Sequence, residues 1–149
     1  MSTQTNSPQE NIELLINKMR VLWLGGLASL VGFIVLTFFT PRAEDAEPND
    51  MLFFILLAAG LTSTLVSFVV KKKFFAKAEE QQQVQLVQQG FMVAMTITEV
   101  AALLGVFDYF TTGDRFYYVL FIIAACGQLL HYPRREPFLH ATFKSSTAI

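Results

Sequence analysis

Four long apolar runs constrain this chain more than any other feature of its sequence. Runs 21–40 and 51–70 contain no charged side chain. Run 91–111 has the carboxylate Glu99 in its centre and Asp108 near its end, and run 115–132 is charged only at its first residue. A helix needs about 20 apolar residues to cross the roughly 30 Å hydrocarbon core of a bilayer. The pattern therefore predicts an all-α integral membrane protein, a four-transmembrane-helix bundle with one helix over each run.

The fourth run is the shortest. Its uncharged part, 116–132, covers about 26 Å at ~1.5 Å per residue. The charged residues at its outer edge or local bilayer thinning would cover the difference. A re-entrant helix is the alternative for this segment.

Basic residues are spread unevenly over the segments that flank the runs. Nine of the 11 Lys and Arg lie in 1–20, 71–90 or 133–149, and the two remaining loops hold one each. Positive charge stays on the cytoplasmic side, so both termini and the loop 71–90 are predicted to be cytoplasmic. The expected organisation is an N-terminal cytoplasmic segment (1–20), a membrane domain (21–132) and a C-terminal cytoplasmic tail (133–149). The expected location is the cell inner (cytoplasmic) membrane, multi-pass.

The cytoplasmic segments also carry helix signals. The sequence SPQE at 7–10 is a capping box, and apolar residues at helical spacing follow it, so an amphipathic helix is expected to start there. The loop 71–90 is rich in Gln, Lys, Glu and Ala, which favour helix, and predicts a short antiparallel extension of the second and third helices. Its four lysines either contact anionic lipid headgroups or only fix the orientation of the chain.

Small residues follow helical spacing on the predicted membrane helices. Gly25, Ser29 and Gly32 form one stripe on the first helix, and a second stripe, on the third helix, consists of Ala94, Thr98, Ala101 and Gly105. Helices in lipid approach one another through small residues. Both stripes are therefore predicted to face other helices of the bundle.

Glu99 lies at the middle of the predicted bilayer. Counted from Thr111, it is about 18 Å deep at 1.5 Å per residue, and a mid-membrane acid that faces lipid costs about 2.5–3.5 kcal/mol or more. We therefore predict that it faces the bundle interior as a neutral acid. The polar residues expected beside it at the same depth are Gln128, Ser63 and Ser29.

Two interpretations of Glu99 remain open at this point. Intramembrane acids commonly bind and release a proton or a small cation, and His131, one turn after Gln128, is then a possible relay toward the cytoplasm. Alternatively, Glu99 only holds the third and fourth helices in register by hydrogen bonding, and His131 is an interfacial residue.

The stretch TEVAALLGV at 98–106 resembles the segment around the ion-carrying Glu of rotary-ATPase proteolipid subunits. In that family an acid is followed by small and aliphatic residues and by a Gly six positions on, here Glu99 and Gly105. The resemblance implies reversible protonation or sodium binding at Glu99. It covers nine residues, and the neighbouring helix, which carries a run of alternating glycines in that family, has only Gly60 in the stretch 58–67.

Composition excludes several functional classes. The net charge of −1 predicts no nucleic-acid partner, because phosphate binding needs a basic surface. One Cys and two His in unrelated segments predict no metal site, and we expect no cofactor. The sequence has no nucleophile–base pair and no phosphate-binding glycine loop, so we predict that the protein is not an enzyme, a membrane-embedded enzyme being the weakest option.

The leading functional prediction is a small non-enzymatic integral membrane protein that acts as an accessory or structural subunit of a membrane complex. Its expected partners are the lipid bilayer and either other membrane-protein subunits or a second copy of the chain. The alternative is a proton- or cation-handling membrane protein that uses Glu99.

Overall fold

The computed structural model describes residues 8–41, 49–112 and 116–142, and the regular structure in these ranges is helical. Three helices are long and apolar enough to cross a membrane, and a fourth is apolar but shorter. This architecture is the one expected of a helical membrane protein. The predicted cap Ser7 lies outside the described residues. The helices are α1 (Pro8–Phe39), α2 (Asp50–Gln81), α3 (Val84–Thr111), α4 (Tyr118–Leu130) and α5 (Glu136–Thr142).

α2 and α3 form an antiparallel hairpin that continues beyond the apolar runs, as the composition of 71–90 predicts. Only Gln82 and Gln83 separate the two helices. Gln82 has a left-handed backbone (φ 52°), which reverses the chain at the end of α2. Gly90 lies so close to Phe74 that a side chain at this position would overlap it, and α3 packs tightly on the extension of α2.

α4 is shorter than the predicted helix over 115–132. Its 13 residues are about 20 Å long, and it fits among α1, α2 and α3 through close approaches at glycines. A Cβ atom built on Gly127 of α4 would lie 2.5 Å from a methyl of Thr98. One built on Gly60 of α2 would lie 2.7 Å from Leu120 of α4, and one on Gly105 of α3 would lie 3.1 Å from the same leucine.

α1 packs on α3 and α4, and its packing face differs from the predicted one. Gly25 and Gly32 are exposed, with no atom within 4 Å of an added Cβ, whereas Gly26 and Leu30 are buried. The prediction for the α1 stripe was wrong because neighbouring residues of a helix point roughly 100° apart, and the bundle contacts the face that contains Gly26. The stripe on α3 is buried as predicted: Ala94, Thr98, Ala101 and Gly105.

α5 is a helix that the sequence analysis did not predict. It follows α4 after a short connection and closes a buried apolar cluster at the end of the bundle, which we call the end cluster. Four helices contribute to it, and α5 adds Phe138 (2% exposed) and Ala141 (1% exposed). The members of the end cluster are Ile12, Ile16, Met19, Ala78, Val87, Phe91, Met95, Phe138 and Ala141.

Two hydrogen bonds tie α1 to the rest of the bundle at different levels. The indole Nε1 of Trp23 donates to the backbone oxygen of Gln128 at 2.7 Å. Near the other end of α1, the hydroxyl of Tyr109 donates to the backbone oxygen of Thr40 at 2.8 Å. Both bonds use the polar end of a large aromatic side chain, whose ring packs in the bundle.

Candidate functional site: a buried polar layer

Glu99 and Gln128 are neighbours across the α3–α4 interface. The Gln128 side chain is 1% exposed, and its Nε2 lies 3.5 Å from Glu99 Oε1, at the outer limit for a hydrogen bond. Glu99 is half-buried. The other side-chain atom, Gln128 Oε1, is buried and has no hydrogen-bond partner among the described residues. The pair thus holds one weak hydrogen bond and one unused acceptor.

Gly26 of α1 lies directly beside the Glu99 and Gln128 side chains. A Cβ atom built there would overlap the Gln128 amide, and would lie 2.8 Å from Met95 Cε and 3.2 Å from Glu99 Oε1. The absence of a side chain at Gly26 therefore makes the room in which the carboxylate and the amide meet.

Among the described residues, neither serine predicted beside Glu99 forms a hydrogen bond with it. The Ser63 hydroxyl donates to the Gly60 oxygen of its own helix at 2.9 Å, and the Ser29 hydroxyl makes no hydrogen bond to another described residue. Thr98 and Glu99 are consecutive and point roughly 100° apart: Thr98 faces α2, and Glu99 faces α1 and α4. Equal depth therefore does not bring Ser63 to the carboxylate.

A second buried polar cluster lies on the α2 side of Thr98. Ser67 and His131 are each 0% exposed, and Ser67 Oγ lies 2.8 Å from His131 Nε2. Thr98 Oγ1 lies 3.1 Å from Ser67 Oγ, and Lys71 Nζ lies 3.4 Å from His131 Nδ1. The His131 ring also packs on Phe68, with 4.4 Å between centroids. Three helix segments are thus joined by one chain of side-chain contacts.

The hydrogen-bond partners assign the proton of His131. A charged Lys71 has donors only, so Nδ1 of His131 accepts and Nε2 carries the hydrogen that Ser67 Oγ accepts. Ser67 in turn donates to the Thr64 oxygen at 2.6 Å, and Thr98 can donate to Ser67 or to the Ala94 oxygen at 3.0 Å. A neutral ring fits this arrangement, because an imidazolium would face the ammonium group of Lys71.

His131 and Glu99 belong to different clusters in this structure. The backbone N–H of His131 bonds to the Gln128 oxygen at 3.1 Å, but the ring faces α2, whereas the Gln128 amide faces α1 and α3. The relay through His131 stays a prediction. Gly26, Ser67 and Lys71 were not predicted as members of this site, because the polar partners of Glu99 were chosen by depth and not by the rotation of each helix about its axis.

The described ranges contain no group of three His, Cys, Asp or Glu side chains that a metal ion would need. Comparisons of the chain with protein-family models, with curated proteins and with solved structures give no match.

Replacing Gly26 by Leu should destabilise the protein. The added side chain overlaps the Glu99–Gln128 pair, and overpacking of this kind costs about 1–3 kcal/mol. Thermal unfolding in a mild detergent, followed by far-UV circular dichroism, measures the effect. Ala58→Leu is the control and should unfold at the wild-type temperature, because Ala58 is exposed on α2. Equal unfolding temperatures for the two variants would contradict the assigned face of α1.

Ser67→Ala should lower stability more than Ser63→Ala. The first change removes a fully buried hydroxyl that contacts His131 and Thr98, and side-chain hydrogen bonds in membrane proteins contribute about 0.6 kcal/mol on average and up to ~1.7. The second removes a hydroxyl that bonds only within its own helix. Unfolding in mixed micelles of increasing denaturing-detergent content compares the two. A larger loss for Ser63→Ala would show that the Ser67–His131 contact is not stabilising.

Proposed function

We propose that this chain is a small non-enzymatic integral membrane protein that acts as an accessory or structural subunit of a membrane complex. The observation that carries the proposal is the outward face of α1. Gly25 and Gly32 lie on it one above the other, with no described atom within 4 Å of an added Cβ. Glycines give lipid chains little to contact but let a second helix approach closely, so a helix of a partner protein or of a second copy fits this face.

We propose further that α4 is a fourth crossing and that both termini are cytoplasmic. The ring centroids of Phe116 and Phe53 are 6.2 Å apart, and His131 contacts Ser67. Phe53 and Ser67 are about 21 Å apart along α2 and lie within its apolar run, which supports a crossing by α4 beside it.

The ends of the chain support the same topology. Arg135, after α4, forms an ion pair with Glu13 of α1 at 3.6 Å, so the start of α1 and the segment after α4 are neighbours. This end also carries the lysines after the α2 run, which favours the cytoplasmic side. The proposed location is the inner membrane.

Substituting Leu at both Gly25 and Gly32 should release the partner without unfolding the chain. Wild-type protein extracted in mild detergent is expected to have a mass larger than one chain by light scattering coupled to size exclusion, and the double variant the mass of a single chain. Ala58→Leu, which places a leucine on the exposed face of α2, is the control and should keep the wild-type mass. A wild-type protein that is monomeric in every mild detergent would contradict the subunit proposal.

The alternative function is proton or cation handling at Glu99. The observation that favours it is the buried acceptor Gln128 Oε1, which has no partner in the described chain and belongs to the residue beside the carboxylate. A proton shared between the two side chains, or a small cation bound by both, would use this acceptor. In lipid an unused buried polar atom is costly, so an occupant would stabilise the site.

Proton flux in proteoliposomes tests this alternative. Wild-type protein should carry a flux driven by a membrane potential, and Glu99→Gln should abolish it at an unchanged fold, because the amide cannot release a proton. Asp108→Asn, which neutralises the other carboxylate of the third run, is the control and should keep the flux. If neither the wild type nor the Glu99→Gln variant carries a flux and the substitution only lowers the unfolding temperature, Glu99 holds helices together and does not transport protons.

A further inference from the structure

A cleft of about 330 Å³ opens where the apolar run of α2 ends, between α2, the connection from α4 to α5, and α5 itself. Three basic side chains line it, Lys71, Lys72 and Arg134, and most of its remaining wall consists of aromatic rings and prolines. None of the described residues that line it is acidic.

The basic side chains of this cleft form no ion pair with another described residue. The ion pairs of the described chain join Arg135 to Glu13 and, when His140 is protonated, His140 to Glu79. Lys71 is half-buried, and its Nζ lies 5.5 Å from the ring centroid of Phe75 and 5.6 Å from that of Phe91. Burial, and after it the repulsion between the charges of Arg134 and Lys71, lowers the pKa of the Lys71 ammonium group to about 8. An anion between these side chains would relieve the repulsion.

The cleft also crosses the boundary between the apolar and polar parts of the bundle. Phe68 lies within the run 51–70, and Leu130, at the end of α4, is 69% exposed, while Lys71 and Lys72 begin the polar extension of α2. A free anion would leave the wall at Phe68 and Leu130 uncovered. A ligand with a phosphate and a hydrocarbon chain would cover both parts.

We propose that this cleft binds one anionic phospholipid, with its phosphate against Lys71, Lys72 and Arg134 and the start of an acyl chain over Phe68 and Leu130. The site lies beside the second polar cluster and away from the glycine face of α1. Lipid binding in this cleft is therefore independent of the partner of α1 and of the role of Glu99.

The only tryptophan of the chain reports on this cleft. The Trp23 ring packs edge-on against Tyr132, with 5.2 Å between centroids, and Tyr132 lines the cleft. The full chain is reconstituted in phosphatidylcholine vesicles that contain phosphatidylglycerol, with bromine on the acyl chains of one lipid or the other. Brominated phosphatidylglycerol should quench Trp23 more strongly than brominated phosphatidylcholine at equal mole fraction.

Paired variants separate a defined site from a diffuse attraction. Each basic residue near an anionic lipid surface changes binding by about fivefold. Lys72→Gln with Arg134→Gln should therefore abolish the preference for phosphatidylglycerol. Lys73→Gln with Lys77→Gln removes the same charge from exposed lysines outside the cleft and should keep it. The proposal would be overturned if both pairs of substitutions reduced the preference for phosphatidylglycerol equally, or if the wild-type protein showed no such preference.

Inorganic phosphate distinguishes a lipid from a free anion. Added at the same ionic strength as a chloride control, it should leave the preference for phosphatidylglycerol unchanged, because it cannot cover Phe68 and Leu130. If inorganic phosphate abolishes the preference, the cleft takes free phosphate, and the assignment of a lipid is wrong.

Discussion

Polar side chains that are buried away from water must find their partners inside the bundle, and this constraint organises the structure. Thr98 and Glu99 share one level of α3 but face different neighbours. Thr98 connects α3 to Ser67 of α2 and through it to His131, whereas Glu99 meets Gln128 of α4 beside Gly26 of α1. Two consecutive residues thus fix the positions of three other helices around α3, and the apolar packing fills the space between these contacts.

Close approach at small residues makes this arrangement possible. α4 is short, so it lacks the long apolar surface that holds α2 and α3 together. Its close contacts at Gly60, Gly105 and Gly127 compensate for its small buried apolar area. They also bring the Gln128 and His131 side chains within hydrogen-bonding distance of their partners. The polar contacts and the glycine contacts therefore depend on each other.

The sequence predicted the features that follow from length and composition. The lengths of the apolar runs predicted α1, α2 and α3, and composition predicted the extension of α2 and α3 over 71–90. Helical spacing predicted the buried stripe of α3. Depth arithmetic placed Gln128 beside Glu99, but it gave no rotation about the helix axis, and Ser63, expected at the same level, bonds within its own helix. The spacing of small residues likewise selected Gly25, whereas the neighbouring Gly26 packs in the bundle. α5 was missed because seven residues have little helical propensity alone, and their helix depends on the end cluster.

The end cluster has a consequence for the order in which the molecule is completed. It receives side chains from the beginning of α1 and from α5, so it closes only after α5, the last described helix, is in place. Until then Ile16, Val87 and Phe91 lack the cover that Phe138 and Ala141 provide. Exposed surface of this kind invites aggregation and proteolysis, so a truncated chain would be removed rather than accumulate.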